Sequence, residues 1–172
     1  VTQVELNDTT NEDGTKNTSE NTIYRVTDKP IVDKDQNIEL DLKGFTIQIV
    51  NGALTVQGTL TIKDTTGKIV DGVYTAGQIE QTGNNRVIDV KGNGNLTLSG
   101  GIITGGKAQY EDSLHQGNGG GVRVQSGGTF NMTGGQIYNN EAAGNGGGVA
   151  IDGGRFTMRG GLINHNITGS FN

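Results

Sequence analysis

The sequence predicts an all-β chain wound as a single-stranded parallel β-helix, a β-solenoid with three short strands per coil, and three observations predict it. The first is an internal repeat: GNGGGVRVQSGGTFNMTGGQIYNN, Gly117 to Asn140, aligns with GNGGGVAIDGGRFTMRGGLINHN, Gly144 to Asn166, with one single-residue gap. A weaker copy, VIDVKGNGNLTLSGGII, runs from Val87 to Ile103. The second is that the aligned copies give wholly apolar columns: Ile88, Val122 and Val149; Val90, Val124 and Ile151; Leu96, Phe130 and Phe156; Leu98, Met132 and Met158; Ile103, Ile137 and Ile163. The third is glycine, 31 of 172 residues against a usual ~7%, recurring at fixed offsets between the apolar pieces. Alternation of period two sends one side chain inward and the next outward, which marks half-buried strands. A repeat of about 26 residues holding three such strands describes one coil, with equivalent positions stacked ~4.8 Å apart. No segment holds apolar residues at i, i+3, i+4 and i+7 long enough for an amphipathic helix.

The elements follow in chain order. Residues 1–21 form a polar N-terminal segment, with Gly14 the only glycine between Asn7 and Asn21, and read as a loop or cap over the first coil. The β-helix is expected over residues 22–172. In its first half, Thr22 to Val26, Ile38 to Leu42, Phe45 to Val50, Leu54 to Val56, Thr59 to Lys63 and Lys68 to Val70 have strand length and pattern, broken at Gly44, Gly52, Gly58 and Gly67. Two stretches depart from the repeat, Thr65 to Arg86 and a surplus of about seven residues near Lys107 to Gln116, and insertions into repeats become loops on one face, often the binding face. After Asn166 the chain reads like the approach to another coil, so a fragment of a longer protein is expected, with closure by Phe171 as the alternative.

Composition removes several function classes. The formal net charge is -5, which disfavours a phosphate backbone as partner, so no nucleic acid is expected. No run approaches ~18 apolar residues, so no membrane insertion is expected. With no cysteine there is neither a disulfide framework nor a thiolate metal site, which suits a protein outside the cell.

The run IELDLKGFTI, Ile38 to Ile47, followed by LTIKDTTGK, Leu60 to Lys68, and by the GGGV, GGxFxM and GGxI pieces, resembles right-handed parallel β-helix domains of the pectate-lyase-like superfamily. It is most similar to the non-enzymatic branch found as repeats in surface proteins and adhesins of Gram-positive bacteria. The resemblance implies a right-handed helix, an extracellular or cell-surface setting, and a stalk or ligand-binding role. It implies no particular ligand.

Enzymes on this fold cleave acidic polysaccharides with carboxylates converging on one face, and the Asn-Thr-Asp, Asp-Asp and Gly-His-Gly signatures of the related hydrolases do not occur. Glu39 and Asp41 alternate on one strand, and Asp33 and Asp35 form a second pair, but no basic residue is expected beside them at the matching register. A solvated strand face is the plainer reading. The only histidines, His115 and His165, are about two coils apart, so no metal site and no cofactor are expected. His165 falls in the column of Asn139, beside a stack of Asn140 on Asn166. GNGGGV puts Val122 or Val149 where a phosphate loop needs its last glycine.

The two departures carry the candidate ligand-binding residues: Tyr74 and Arg86 in the first, Tyr110, Glu111, Asp112 and His115 in the second. Aromatic rings beside carboxylates and a base suit stacking on sugar rings while hydrogen-bonding hydroxyls. The sequence thus points to a non-catalytic extracellular module of a bacterial surface protein, an adhesin surface or rigid stalk. It is expected to be monomeric, and a glycan and a host-matrix protein are both open as ligands. The reading leans against an enzyme. A polysaccharide lyase or hydrolase with a divergent site, gathering Asp33, Asp35, Glu39 and Asp41 with Arg25 or Lys43, is the first alternative, and a structural spacer the second.

Overall fold

The computed structural model describes residues 2–5, 23–110 and 117–169. Among them there is no helix, and the chain is all-β with most strands parallel in stacked sheets. The first sheet has the order β1 (Thr2–Glu5), β4 (Asn37–Asp41), β7 (Thr59–Lys63), β12 (Asn95–Leu98), β16 (Thr129–Met132), β20 (Arg155–Met158). The second runs β2 (Ile23–Val26), β5 (Thr46–Ile49), β10 (Gln78–Gln81), β13 (Ile102–Thr104), β17 (Gln136–Tyr138), β21 (Leu162–Asn164). The third runs β3 (Ile31–Val32), β6 (Leu54–Val56), β11 (Ile88–Val90), β15 (Val122–Gln125), β19 (Val149–Asp152). A small fourth sheet stacks β14 (Lys107–Ala108), β18 (Glu141–Ala142) and β22 (Ile167–Thr168). The chain visits the first three sheets in rotation, so each repeat adds one strand to each.

The register is the one the apolar columns require. Ile88 pairs with Val122 and Val122 with Val149; Leu96 with Phe130 and Phe130 with Phe156; Ile103 with Ile137 and Ile137 with Ile163. Alternation makes these side chains inward: Leu96, Leu98, Ile103, Val122, Val124, Phe130, Met132 and Ile137 are fully buried. The same ladders extend back through Leu60, Ile62 and Ile79, so one core runs through all described repeats. Phe130 and Phe156 stack with ring centroids 4.9 Å apart and planes 22° apart, the offset geometry aromatic pairs prefer. At the last repeat the same columns are half uncovered, with Ile151 and Met158 each 44% exposed.

The corner after β17 repeats as faithfully as the strands. Asn139 and His165 occupy equivalent positions and both have φ of +53°, a left-handed conformation that asparagine and histidine tolerate better than most residues. Each is followed by an inward asparagine. Asn140, 1% exposed, accepts the N–H of Gly106 at Oδ1 (2.9 Å), and its amide nitrogen faces the carbonyls of Ile103 (3.1 Å) and Tyr138 (3.0 Å) and Oδ1 of Asn166 (3.0 Å). Asn166 repeats the pattern toward the carbonyls of Ile137 and Asn164. The corner is tight enough that a Cβ on Gly106 would fall on the carbonyl of Gly120.

Three expectations need correction. Lys68 to Val70 is not a strand of the stacked sheets: β8 (Lys68–Val70) pairs antiparallel with β9 (Val73–Thr75). Asp71 and Gly72, at φ +51° and +81°, form the two-residue turn between them, whose twist suits a hairpin. The stretch Thr65 to Arg86 is not wholly a departure, since β10 lies within it and buries Ile79 between β5 and β13. Lys107 and Ala108 likewise belong to β14, with Ala108 2% exposed. The N-terminal segment contributes β1, paired in register with β4, and residues 6–22, the rest of the expected loop or cap, lie outside the described residues.

Candidate functional site

The hairpin β8–β9 is fastened at its base by one carboxylate. Asp64, just after β7, accepts the N–H of Gly44 (3.1 Å) and the N–H of Gly77 at Oδ2, and both the N–H and hydroxyl of Thr66 at Oδ1 (2.7 Å each). Gly77 sits across the hairpin and Gly44 in the corner between β4 and β5, so a single side chain ties three segments together. The Tyr74 hydroxyl adds a second anchor by accepting the N–H of Gly101 (3.1 Å). Beyond these ties the hairpin projects, and Ile69 (74% exposed), Val70 and Val73 face solvent.

Between the hairpin and the β4–β5 corner lies a groove of about 570 Å³, lined by Lys43, Phe45, Thr46, Lys68, Thr75 and Gln78 among others. Its floor is the outward face of the second sheet, where Thr46 and Gln78 are register partners. One wall is Lys43 and Phe45. Lys43 has φ +47° and Gly44 φ +80°, closing a two-residue turn in which the Phe45 N–H donates to the Leu42 carbonyl (2.8 Å). A lysine in the left-handed region is uncommon, and Asp41 holds this one by accepting the Lys43 N–H (3.3 Å). The Phe45 ring is fixed edge-on by Tyr24, with centroids 5.6 Å apart. The opposite wall is Lys68 and Thr75 of the hairpin. Among the described residues no carboxylate lines the groove: the oxygens of Asp64 accept from backbone and threonine donors, and those of Asp41 from Thr65 and the Lys43 N–H.

The acidic strand β4 has a different surrounding from the one expected. Lys63 is the register partner of Asp41, and its Nζ lies 2.6 Å from Oε1 of Glu39, so a basic residue does stand on this face. Register between β4 and β7, which the sequence repeat does not reach, is what places it there. Burial pushes the Asp41 carboxyl upward, but the N–H and hydroxyl of Thr65, the N–H of Lys43 and the charge of Lys63 outweigh it and hold the group below the usual aspartate range. The hydrogen bond to Glu39 raises Lys63. Arg25 is elsewhere, on β2 in the second sheet. Asp33 and Asp35 sit in the exposed turn after β3, where the Asp33 carbonyl accepts the Gln36 N–H. Among the described residues no three His, Asp or Glu side chains gather as metal ligands.

Arg86 joins a polar network on the third sheet. Its Nε donates to the Asn118 carbonyl (3.1 Å) and its Nη1 lies 3.5 Å from Asp89, which is only 4% exposed, accepts Gln125 (2.9 Å) and has Lys91 at 3.5 Å. Arg123 and Asn118 meet at Asp152, with Arg123 Nε 2.7 Å away. This network borders the second departure: the Lys107 N–H donates to Asn85, and the Gly117 carbonyl accepts the Gly144 N–H. Arg86 and the base of that loop are thus brought together, while Tyr74 has different neighbours, Gly101 and Gly67. Tyr110 is 61% exposed. Glu111, Asp112 and His115 lie outside the described residues.

Tyr74 therefore anchors the hairpin without lining the groove, and of the lysines, Phe45, Thr75 and Gln78 that line it only Lys43 is singled out by sequence reasoning, as a base for the acidic residues of the enzymatic alternative. The signal that could have found them is Val70-Asp71-Gly72-Val73, a hairpin turn that forces a projection and hence a wall. Comparison with known proteins found no matching family model, curated protein or solved structure.

Proposed function

We propose that the chain is a right-handed, single-stranded parallel β-helix of the pectate-lyase-like type, serving as a non-catalytic module of a bacterial cell-surface protein that binds a glycan in the groove between the β4–β5 corner and the β8–β9 hairpin. The observation that carries the reading is the groove itself. Among the described residues, repeats that otherwise follow one another in register are interrupted there by the one antiparallel strand pair, which Asp64 and Tyr74 fix and which helps surround the space with hydroxyl, amide and ammonium groups beside an aromatic ring. That combination suits a polyhydroxylated ligand, since each hydroxyl finds a partner while a ring covers an apolar sugar face. The cell-surface setting rests on the resemblance of the repeats to surface-protein domains.

The test is an array of glycans and matrix proteins probed with the parent chain and with a variant in which Lys68–Thr75 is replaced by a short turn. Glycan binding lost in the hairpin variant supports the reading. Binding to matrix proteins alone, or no binding by either chain, overturns it and favours a protein adhesin or a spacer respectively.

A further inference from the structure

We propose that Asn145 is a site of covalent self-modification, deamidated through the backbone nitrogen of Gly146 to aspartate or isoaspartate with water as the only co-reactant. Asparagine is thermolabile, and a following glycine favours the reaction because no side chain hinders the attacking nitrogen. The chain contains four such pairs: Asn51 with Gly52, Asn93 with Gly94, Asn118 with Gly119, and Asn145 with Gly146. Two conditions separate them, an N–H on the glycine that no acceptor holds and a carboxamide that nothing pins. Asn118 meets neither: it is 3% exposed, its Oδ1 accepts the Asn145 N–H (2.8 Å), its amide nitrogen faces Asp152 (3.3 Å), and the Gly119 N–H donates to the Asn145 carbonyl (2.9 Å). Asn93 is exposed, but the N–H of buried Gly94 donates to the Lys91 carbonyl (3.0 Å). Asn51 is exposed, but its amide donates to the Thr27 carbonyl (2.8 Å). Asn145 alone meets both, being exposed, with no hydrogen bond from its side chain or from the Gly146 N–H among the described residues. Gly119 and Gly146 share one backbone conformation, φ +69° and +66°, so the two copies of the corner differ in what is bonded rather than in shape.

In the reaction the Gly146 nitrogen gives its proton to hydroxide and bonds to Cγ of Asn145. The bond from Cγ to Nδ2 breaks, and Nδ2 takes a proton from water and leaves as ammonia. Water then opens the cyclic imide at either carbonyl, giving aspartate or, with the main chain routed through Cγ, isoaspartate. Either product adds a negative charge to a chain already at -5. Isoaspartate also changes the corner itself. The Asn145 N–H donates to Asn118 and its carbonyl accepts from Gly119, so this one residue joins the corners of two successive repeats. A carbon inserted into the main chain between those two groups leaves them unable to keep both bonds in register.

The full chain is aged in mildly alkaline buffer, folded and in urea, and then digested with trypsin for mass spectrometry. Cleavage after lysine and arginine places each pair on its own peptide, residues 44–63, 92–107, 108–123 and 124–155, so a gain of one mass unit reads each site separately. In the folded chain peptide 124–155 is expected to convert at least about tenfold faster than the other three, which must first open locally, while in urea all four convert at similar rates. Faster conversion of another pair in the folded chain, or the same ranking with and without urea, overturns the proposal. In Asn145→Gln the gain on 124–155 is expected to vanish; its persistence places the reaction on another asparagine of that peptide and overturns the assignment. Amide exchange at Gly119 is expected to rise with the isoaspartate fraction, and exchange that stays constant overturns the loosening of the corner.

Discussion

The carboxylate of Asp64 accepts the backbone N–H of Gly77, 13 residues farther along the chain and on the other side of the whole β8–β9 hairpin. Because the same oxygen also takes the Gly44 N–H, the two walls of the groove share one anchor. Replacing Asp64 by Ala strands those donors and the Thr66 N–H. The expected loss is about 2–3 kcal/mol, with amide exchange at the hairpin accelerated well before the stacked sheets open. Urea unfolding with hydrogen exchange measures both; equal exchange rates in parent and variant would show that the hairpin is held by other contacts.

Asn140 fills the inside of a corner where four protein groups depend on its amide. Asn140→Ala leaves the Gly106 N–H and the carbonyls it serves buried without a partner, costing about 2–3 kcal/mol. Asn140→Asp costs more at neutral pH, because it turns a donor into a buried charge facing carbonyls. Denaturant midpoints of the two variants should fall in that order.

Position within the stack should govern the cost of equal truncations. Phe130 is fully buried between Leu96 and Phe156, so Phe130→Ala is expected to cost about 3–5 kcal/mol. Phe156 has the same ring in the same column but is only partly buried, so Phe156→Ala should cost roughly half as much. Equal losses in urea would mean that the last repeat is as well covered as the one before it.

The strand β4 and Lys63 give the fold a dependence on pH at both extremes. The Asp41 carboxyl is lowered in the folded chain, so it stabilises the fold above the unfolded value of about 3.9 and that contribution vanishes as pH falls through the folded pKa. Lys63 is raised, so it stabilises below about 10.4 and the benefit is lost as pH climbs through its folded pKa. Asp41→Asn should flatten the acid limb of a plot of melting temperature against pH, and Lys63→Met the alkaline limb. A parent and an Asp41→Asn curve that stay parallel below about pH 4 would refute the acid assignment.

The apolar columns were legible in the sequence because each copy repeats both residue type and spacing, and parallel strands with one buried face leave no freedom of register. Ile88, Val122 and Val149 are the clearest instance. Outside the copies that logic stops. Lys63 opposite Asp41 could not be placed because β4 and β7 share columns only through Ile38 on Leu60 and Leu40 on Ile62, which resemble any other apolar pairs. β10 was hidden by the hairpin before it, and β14, β18 and β22 are too short to show alternation. The groove was illegible for a related reason. Its walls come from a turn, a hairpin and a sheet face, of which only the hairpin carries a motif, Val70-Asp71-Gly72-Val73, and that motif does not say what the hairpin faces.

Both excursions from the stack return to the place they left. Asp64 joins the two feet of the hairpin, and the second loop rejoins the stack where Gly117 meets Ala108 and Gln109. To the strands above and below, each excursion counts as a corner whatever its length or composition. Natural variation or deliberate grafting can therefore change the side chains displayed at those two corners while every column stays in place, which makes the stack and its surface separately variable.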